Sequence, residues 1–330
     1  MSSNSGITLA RYVMTKSLNA DLAPILERIE LAGKRIAREL SVASLGGELG
    51  YTGATNVQGE KVKKLDQWGN DVFLETFAHG HPVCTLISEE MEEPRHYSSN
   101  CRERSFAVLY DPIDGSSNTD VNGSLGTIFS IRQRAAKHDA GIADILTPGS
   151  KQFAAGYVLY GPSTQLVYTA GAGVNIFTLD RSLGEFLLWR ENIKMPPFGS
   201  CYAVNQGNIG KWHPGARKFV ELITSRKDKR TSYSLRYTGA FVADFHRCLL
   251  EGGIYLYPGE VSAVGKGRGK LRLMYELAPM SMIAEQAGGR GSTGKGRILD
   301  VVPAAIHDRQ PIYLGSADEV RLAEEMRAEG

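Results

Sequence analysis

The stretch from Asp111 to Asn118 combines residue types suited to binding a metal ion and a phosphate. It reads Asp-Pro-Ile-Asp-Gly-Ser-Ser-Asn and follows an apolar run, Phe106 to Tyr110, that is typical of a buried strand. Carboxylate oxygens are the ligands that Mg²⁺ prefers, and the backbone amides of Gly115 to Ser117 can hold a phosphate where a helix begins. Asp and Ser are also common in turns that only cap a helix, so a structural interpretation stays open.

A second pair of acids, Glu89 and Glu90, follows another apolar run, Val83 to Ile87. Ligands of open α/β sheets bind beyond the carboxyl ends of the strands. If the two strands are neighbours, four acids meet at one edge of the sheet, and bound cations would relieve their repulsion. The alternative is a solvated acidic loop, because Glu92 and Glu93 come next.

Two basic residues far downstream, Lys270 and Arg272, alternate with Leu271 and Leu273 and are followed by Glu276. Alternation of this kind predicts a strand with both cations on one face. Two cations there would suit a second phosphate or a sugar oxygen. A polar strand face without any ligand is the alternative.

The elements that must position these residues follow from the hydrophobic pattern. Apolar residues at three- and four-residue steps between Leu22 and Leu40 predict a helix, and a second helix is predicted around Asp66, with that residue in its middle. Strand-like runs follow, and helices then alternate with strands. A Pro-rich break at 194–199 divides the chain into 1–195 and 196–330, and the alternation favours a layered α/β architecture.

Composition narrows the class of protein. Of 330 residues, 42% are hydrophobic and 22% charged, which is typical of globular chains, and the net charge of +2 argues against a nucleic-acid binder. The uncharged run from Gln152 to Leu179 is interrupted by Gly and Pro, so we interpret it as strands and expect no membrane span. Four cysteines without a C-x-x-C pair predict reduced thiols and a cytoplasmic protein.

The chain resembles the class I fructose-1,6-bisphosphatases from about Arg11 to about Gly315. Four blocks carry the resemblance: Val57 to Asp66, Ile87 to Glu90, Asp111 to Asn118 and Gly269 to Glu276. The acid-Pro-x-acid-Gly element occurs across a wider superfamily of lithium-sensitive, metal-dependent phosphatases, whereas the Gly-Ser-Ser-Asn continuation is more particular to this family. The resemblance implies the layered sugar-phosphatase fold, an α-β-α-β-α sandwich. Residues 1–195 would form a phosphatase subdomain and 196–330 a sugar-binding subdomain.

The resemblance also implies a role for each site residue. Mg²⁺, or Mn²⁺ in its place, would be bound by Glu89, Asp111, Asp114, Glu276 and the carbonyl of Ile113. Asp66 and Glu90 would position or deprotonate the attacking water. The substrate would be held by Asp114, Gly115, Ser116, Ser117, Asn205, Arg236, Tyr237, Tyr257, Lys270 and Arg272. The family is typically a homotetramer, and Arg236 would reach into the site of a neighbouring subunit.

The implied activity is Mg²⁺-dependent hydrolysis of the 1-phosphate of fructose 1,6-bisphosphate, in gluconeogenesis or the Calvin cycle. Asn208 and Phe241 stand where relatives often carry Tyr and Met, which makes sedoheptulose 1,7-bisphosphate the nearest alternative substrate. An inositol monophosphatase-like enzyme is a second alternative, against which Lys270, Arg272 and the Gly-Ser-Ser-Asn run argue. A non-catalytic sugar-phosphate binder is the third. No nucleic-acid or membrane partner is expected.

Departures from the family pattern bear on regulation. AMP-inhibited relatives carry a Thr-Gly-Glu-Leu-Thr run that grips the nucleotide phosphate, and the aligned run here is Asn19-Ala20-Asp21-Leu22-Ala23. A Lys-Tyr pair is replaced by Ser105-Phe106, and an expected Arg falls at Gln133, with Arg132 one place earlier. These replacements predict weak or absent inhibition by AMP.

Overall fold

The computed structural model describes residues 6–16, 20–46, 50–55, 61–79, 82–97, 101, 105–134, 142–225, 232–261 and 269–328. Asn19 of the AMP-type run and Val57 to Glu60 of the first family block lie outside the described residues. Helices and strands alternate through the described part of the chain, which is therefore a mixed α/β protein.

The first half of the chain builds a short ribbon and a large sheet. The ribbon consists of β1 (Tyr51–Thr55) and β2 (Lys61–Lys63). The large sheet contains β3 (Val83–Ser88), β4 (Arg95–His96), β5 (Phe106–Asp114), β6 (Leu125–Gln133), β7 (Ala154–Tyr160), β8 (Thr164–Thr169), β9 (Val174–Asp180) and β10 (Glu185–Ile193). Its eight strands lie in the order β10-β9-β8-β7-β6-β5-β3-β4. The uncharged run from Gln152 to Leu179 therefore forms strands β7 to β9, as predicted, and no described helix is long and apolar enough to cross a membrane.

One face of the large sheet is covered by helices from the start of the chain. They are α1 (Leu9–Lys16), α2 (Leu22–Leu40) and α4 (Lys64–Thr76), and the one-turn helix α3 (Ala43–Gly46) follows α2. The predicted apolar stripe of α2 is confirmed, because Ile25, Ile29 and Ile36 are fully buried in one hydrophobic cluster with the sheet. Asp66 lies in the first turn of α4 and not in its middle, because β2 occupies the residues before Lys64.

The second half builds a smaller sheet with its own helices. Its strands are β11 (Cys201–Ala203), β12 (Ser234–Leu235), β13 (Ile254–Tyr257), β14 (Arg290–Ser292) and β15 (Ile312–Gly315), in the order β12-β11-β13-β15-β14. The helices are α5 (Pro214–Thr224), α6 (Phe241–Glu251), α7 (Ala278–Gln286) and α8 (Ala317–Ala328). Helices α6 and α7 pack against both sheets, whereas α5 and α8 cover the outer face of the smaller one. The architecture is thus an α-β-α-β-α sandwich, as expected.

The division at residues 195 and 196 stays a prediction. The last strand of the large sheet ends at Ile193 and the smaller sheet begins at Cys201, so the predicted boundary falls between the two sheets. However, one hydrophobic cluster joins Tyr157 and Ile176 of the first part to Phe245 and Leu314 of the second. The two parts therefore share a core.

The prediction of four reduced cysteines is wrong for one pair. Cys84, on β3, and Cys101 form a disulfide bond, whereas Cys201 and Cys248 are buried free thiols. The pairing depends on β4, which places the chain after it back beside β3. A spacing of 17 residues gives no local signal of that return.

Candidate active site

Two neighbouring strands bring the acids of the first and second motifs together. Strands β3 and β5 pair in parallel with Ser88 opposite Tyr110, so their carboxyl ends lie at the same edge of the sheet. The amide of Glu89 donates to the carbonyl of Tyr110 at 3.1 Å. Carboxylate oxygens of Glu89, Asp111 and Glu276 all lie within 4.8 Å of one another. Glu89 is therefore part of a buried acidic cluster and not of a solvated loop.

Glu276 reaches the cluster from an unexpected element. The structure has a π-helix at Leu273–Leu277 where the alternation predicted a strand, and Leu277 N donates to Arg272 O at 3.0 Å. Every residue from 271 to 280 is buried, so burial here does not alternate between two faces. The prediction that Lys270 and Arg272 share a strand face is consequently wrong: Lys270 is exposed and Arg272 is 4% exposed.

Arg272 is the cation within the acidic cluster. Its Nη1 lies 2.6 Å from Glu89 Oε1 and 3.9 Å from Glu276 Oε2. Its backbone amide also donates to the Glu276 carboxylate. Arg272 thus contacts the acids expected to bind metal, and its expected contact with the substrate stays a prediction.

The cluster carries more negative charge than one guanidinium balances. Burial, reinforced by the Glu89 carboxylate, raises the pKa of Glu276 to about 8 and that of Asp66 to about 7. Burial likewise raises the pKa of Asp114 to about 7, although amide hydrogen bonds from Val242 and Phe241 oppose the rise. Acids in such surroundings ionise together only when cations compensate them. The all-oxygen donor set fits a hard divalent cation such as Mg²⁺.

We expect the stability of the metal-free protein to fall as the pH rises from about 5.5 to about 8. Glu276 and Asp114 bind protons more tightly in the folded chain than in the unfolded one, so unfolding releases protons in this range and becomes more favourable at higher pH. A fall in Tm on the order of 5 °C should appear in thermal unfolding with a chelator, and Mg²⁺ should restore stability most at the higher pH.

The matched control is Asp111→Asn, which removes one of the competing charges from the same cluster. Its metal-free Tm should depend less on pH, and Mg²⁺ should raise it less. A wild-type Tm that is constant or rises over this range in the chelator would contradict the prediction.

A glycine–serine turn, Gly115 to Asn118, lies beside the acids. Gly115 has φ of +78°, in the left-handed region, and a Cβ there would lie 2.5 Å from Ala240 Cβ. A six-residue 3₁₀ helix, Ser116–Val121, follows. Glycine is thus required both by the backbone conformation and by the close approach of the second half of the chain.

One cavity gathers most of the residues expected to form the site. It is lined by Asp66, Glu89, Glu90, Asp111, Ile113, Asp114, Gly115, Ser116, Ser117, Tyr237, Tyr257, Lys270, Arg272 and Glu276. Asn205 and Arg236 are not among the lining residues. Asn205 caps the turn that follows it by accepting from Gly207 N at 3.1 Å, and Arg236 lines a separate surface cavity.

Four further residues line the same cavity: Gly239, Phe241, Tyr255 and Leu271. Phe241 departs from the family pattern, but the resemblance does not imply a role for it in the site. Tyr255 stands two positions before Tyr257 on β13, so strand alternation placed both on one face and was a usable signal. Gly239 and Leu271 carried no such signal.

A five-layer sandwich with buried acids beside a glycine–serine turn defines a sugar-phosphatase type of enzyme, and comparison with known proteins identifies its family. Models of the N-terminal and C-terminal domains of fructose-1-6-bisphosphatase match residues 7–191 and 195–328. The chain belongs to the fructose-1,6-bisphosphatase family and is a phosphatase.

Curated relatives and solved structures agree with this family. The class 1 fructose-1,6-bisphosphatase of Trichormus variabilis is 51% identical over 96% of this chain and 91% of its own length. The class 1 fructose-1,6-bisphosphatase of Synechocystis sp. is 49% identical over 96% of this chain and 91% of its own length. The holo crystal structure of Leishmania major fructose-1,6-bisphosphatase superposes with a TM-score of 0.90 at 38% identity, covering 98% of this chain and 99% of that one.

Proposed function

We propose that the chain hydrolyses the 1-phosphate ester of fructose 1,6-bisphosphate to fructose 6-phosphate and inorganic phosphate. The observation that supports this best is a single cavity lined by buried acids, by the glycine–serine turn and by Tyr237, Tyr257 and Lys270. Its acidic end suits cations and its other end suits a phosphorylated sugar. The relatives described above are themselves fructose-1,6-bisphosphatases.

We propose that Glu89, Asp111, Asp114, Glu276 and the carbonyl of Ile113 hold Mg²⁺, for which Mn²⁺ could substitute. Bound there, such ions supply water activation, neutralisation of the phosphoryl oxygens and stabilisation of the leaving oxygen. The proposal is supported by the oxygen-only donor set and by the three carboxylates that converge within 4.8 Å.

The remaining steps belong to the side chains of the cavity. The amides of Gly115 to Ser117 would orient the 1-phosphate. Asp66 or Glu90 would accept the proton of the attacking water, and the pKa of about 7 for Asp66 suits this role near neutral pH. The water oxygen bonds to phosphorus, the bond from phosphorus to the C1 oxygen breaks, and that oxygen takes up a proton.

The sugar and the 6-phosphate would be held by Tyr237, Tyr257, Lys270 and Asn205, and Arg272, which also lines the cavity, would contact the substrate. Arg236 is exposed and lines a surface cavity with Leu235 and Arg247. That position is compatible with the proposal that Arg236 serves a neighbouring subunit of a homotetramer. Sedimentation of the purified protein would measure the oligomeric state.

The direct test is inorganic phosphate release from fructose 1,6-bisphosphate with Mg²⁺, with Mn²⁺ and with a chelator. We expect turnover with a divalent cation and none in the chelator. The same assay is run with sedoheptulose 1,7-bisphosphate. Tyr257 and Lys270 also line an adjoining cavity with Lys211 and Arg309. That cavity offers room and positive charge for a longer substrate. A higher kcat/KM for that sugar would reassign the substrate, and binding without turnover would indicate a sugar-phosphate binder.

We propose that the enzyme is insensitive to AMP and expect less than twofold inhibition at about 1 mM AMP. Phe106 is fully buried and packs edge-on against Phe153, so it offers no hydroxyl where relatives have Tyr. Arg132 does not replace the missing Arg, because it is 3% exposed and its Nη1 donates to Thr147 O at 2.7 Å. Initial rates across an AMP titration measure this, and strong inhibition at micromolar AMP would overturn it.

The cytoplasm remains our proposal for the compartment, on the grounds that the substrate is a phosphorylated sugar of carbon metabolism. The cysteines do not support it in the way expected, because disulfides such as Cys84–Cys101 are uncommon in cytosolic proteins. Fractionation of cells that express the tagged protein would locate it.

A further inference from the structure

The segment from Arg236 to Ala240, here called the sugar segment, carries Tyr237 and Gly239 into the cavity. It belongs to no helix or strand. Backbone hydrogen bonds fix its two ends, since Arg236 N donates to Tyr202 O at 2.9 Å and Ala240 O accepts from Asp244 N at 3.1 Å. The positions of Tyr237 and Thr238 between those ends therefore depend on contacts with side chains.

The peptide groups of Thr238 are held at both ends by side chains. The Thr238 amide donates to Asp244 Oδ1 at 2.8 Å, and the Gly239 amide donates to Asp244 Oδ2 at 3.3 Å. Asp244 is 3% exposed and lies in the first turn of α6. On the other side, Asn118 Nδ2 donates to the Thr238 carbonyl at 3.0 Å.

Asn118 links the sugar segment to the glycine–serine turn. Its Nδ2 donates to the carbonyl of Ser124 at 3.1 Å as well as to that of Thr238, so one amide group bridges the two halves of the chain. The turn and the segment are also in direct contact, since a Cβ on Gly115 would lie 2.9 Å from Ala240 Cα. The distance between the phosphate-binding end and Tyr237 is thereby set.

We propose that Asn118 and Asp244 are positioning residues that hold the sugar segment against the glycine–serine turn and so place Tyr237 for the sugar. Neither side chain lines the cavity. Both act through the backbone of Thr238. The inference deepens the proposed function and rests on it, because it concerns how the sugar end of the substrate is bound.

The test compares two ligands that use different ends of the cavity. In the Mg²⁺-loaded protein, the affinities for fructose 6-phosphate and for inorganic phosphate are measured by calorimetry. Asn118→Ala and Asp244→Ala should weaken fructose 6-phosphate binding about tenfold, which corresponds to about 1.4 kcal/mol. Inorganic phosphate should bind within about twofold of the wild type, because it needs only the turn and the acids.

Conservative variants sharpen the test. Asn118→Asp places an acceptor against two carbonyl oxygens and should bind fructose 6-phosphate more weakly than Asn118→Ala does. Asp244→Asn retains one acceptor oxygen and should lose less affinity for fructose 6-phosphate than Asp244→Ala does. It also replaces the alanine variant in the test if that variant fails to fold. The double variant should lose less binding free energy for fructose 6-phosphate than the two single variants lose together, because both residues hold Thr238.

Asp180→Asn is the matched control. Asp180 also accepts hydrogen bonds from two consecutive amides, Ser182 N and Leu183 N, but it ends β9, four strands away from β5. Both affinities should be unchanged in this variant. Unchanged fructose 6-phosphate binding in the Asn118 and Asp244 variants, or equal weakening of both ligands, would overturn the inference alone. A wild type that neither binds fructose 6-phosphate nor releases phosphate would overturn the proposed function and the inference with it.

Discussion

Asp114→Asn should lower kcat for phosphate release from fructose 1,6-bisphosphate by roughly a thousandfold or more. Asp114 is buried beside the acidic cluster, and its Oδ2 accepts from Val242 N at 2.7 Å. Asparagine keeps the shape and an oxygen for that amide, but it removes the negative charge and one of the oxygens proposed to bind Mg²⁺. Phosphate release at saturating Mg²⁺ and substrate measures the loss.

Asp180→Asn serves as the control here too, because it neutralises a carboxylate that bonds backbone amides in an exposed turn. Its kcat should equal that of the wild type. The metal-free Asp114→Asn protein should be at least as stable as the wild type, since the substitution removes charge repulsion from a buried cluster. A folded Asp114→Asn protein that retains more than about a tenth of the wild-type kcat would exclude Asp114 as an essential ligand.

Gly115→Ala is expected to reduce kcat/KM by roughly a hundredfold and to lower the free energy of unfolding by more than about 2 kcal/mol. Alanine at φ of +78° costs about 1 kcal/mol, and its methyl group would lie 2.5 Å from Ala240 Cβ, so the turn or the start of α6 must shift. A shift there would separate the amides that we propose to bind phosphate from the acids. Initial rates and chemical denaturation measure the two effects.

Gly171→Ala separates the backbone cost from the steric one. Gly171 has φ of +85°, but a Cβ there would meet no atom within 4 Å. This variant should lose about 1 kcal/mol of stability and no activity. If Gly115→Ala matched Gly171→Ala in both measurements, the close contact between the turn and the start of α6 would contribute nothing further to stability or activity.

Local sequence patterns were enough to predict the parts of the molecule that depend on near neighbours. The apolar stripe of α2 and the strands within Gln152 to Leu179 follow from periodicity and turn residues. The acids after β3 and β5 follow from apolar runs that end in carboxylates, and the parallel pairing of these strands confirms that the acids meet. A period identifies the face of an element, and a strand end identifies an edge of a sheet.

Other features of the site arise from contacts between residues far apart in the chain, and only the tertiary structure decided them. Examples are the ion pair of Arg272 with Glu89 and the hydrogen bond from Asn118 to the Thr238 carbonyl. The disulfide between Cys84 and Cys101 likewise depends on how the chain returns to β3. The alternation of apolar and basic residues gave a wrong prediction at Arg272, because a segment that is buried on every side has no polar face from which its period can be recognised. The residue types thus determined which chemistry was available, whereas packing between the two sheets determined which of those residues meet.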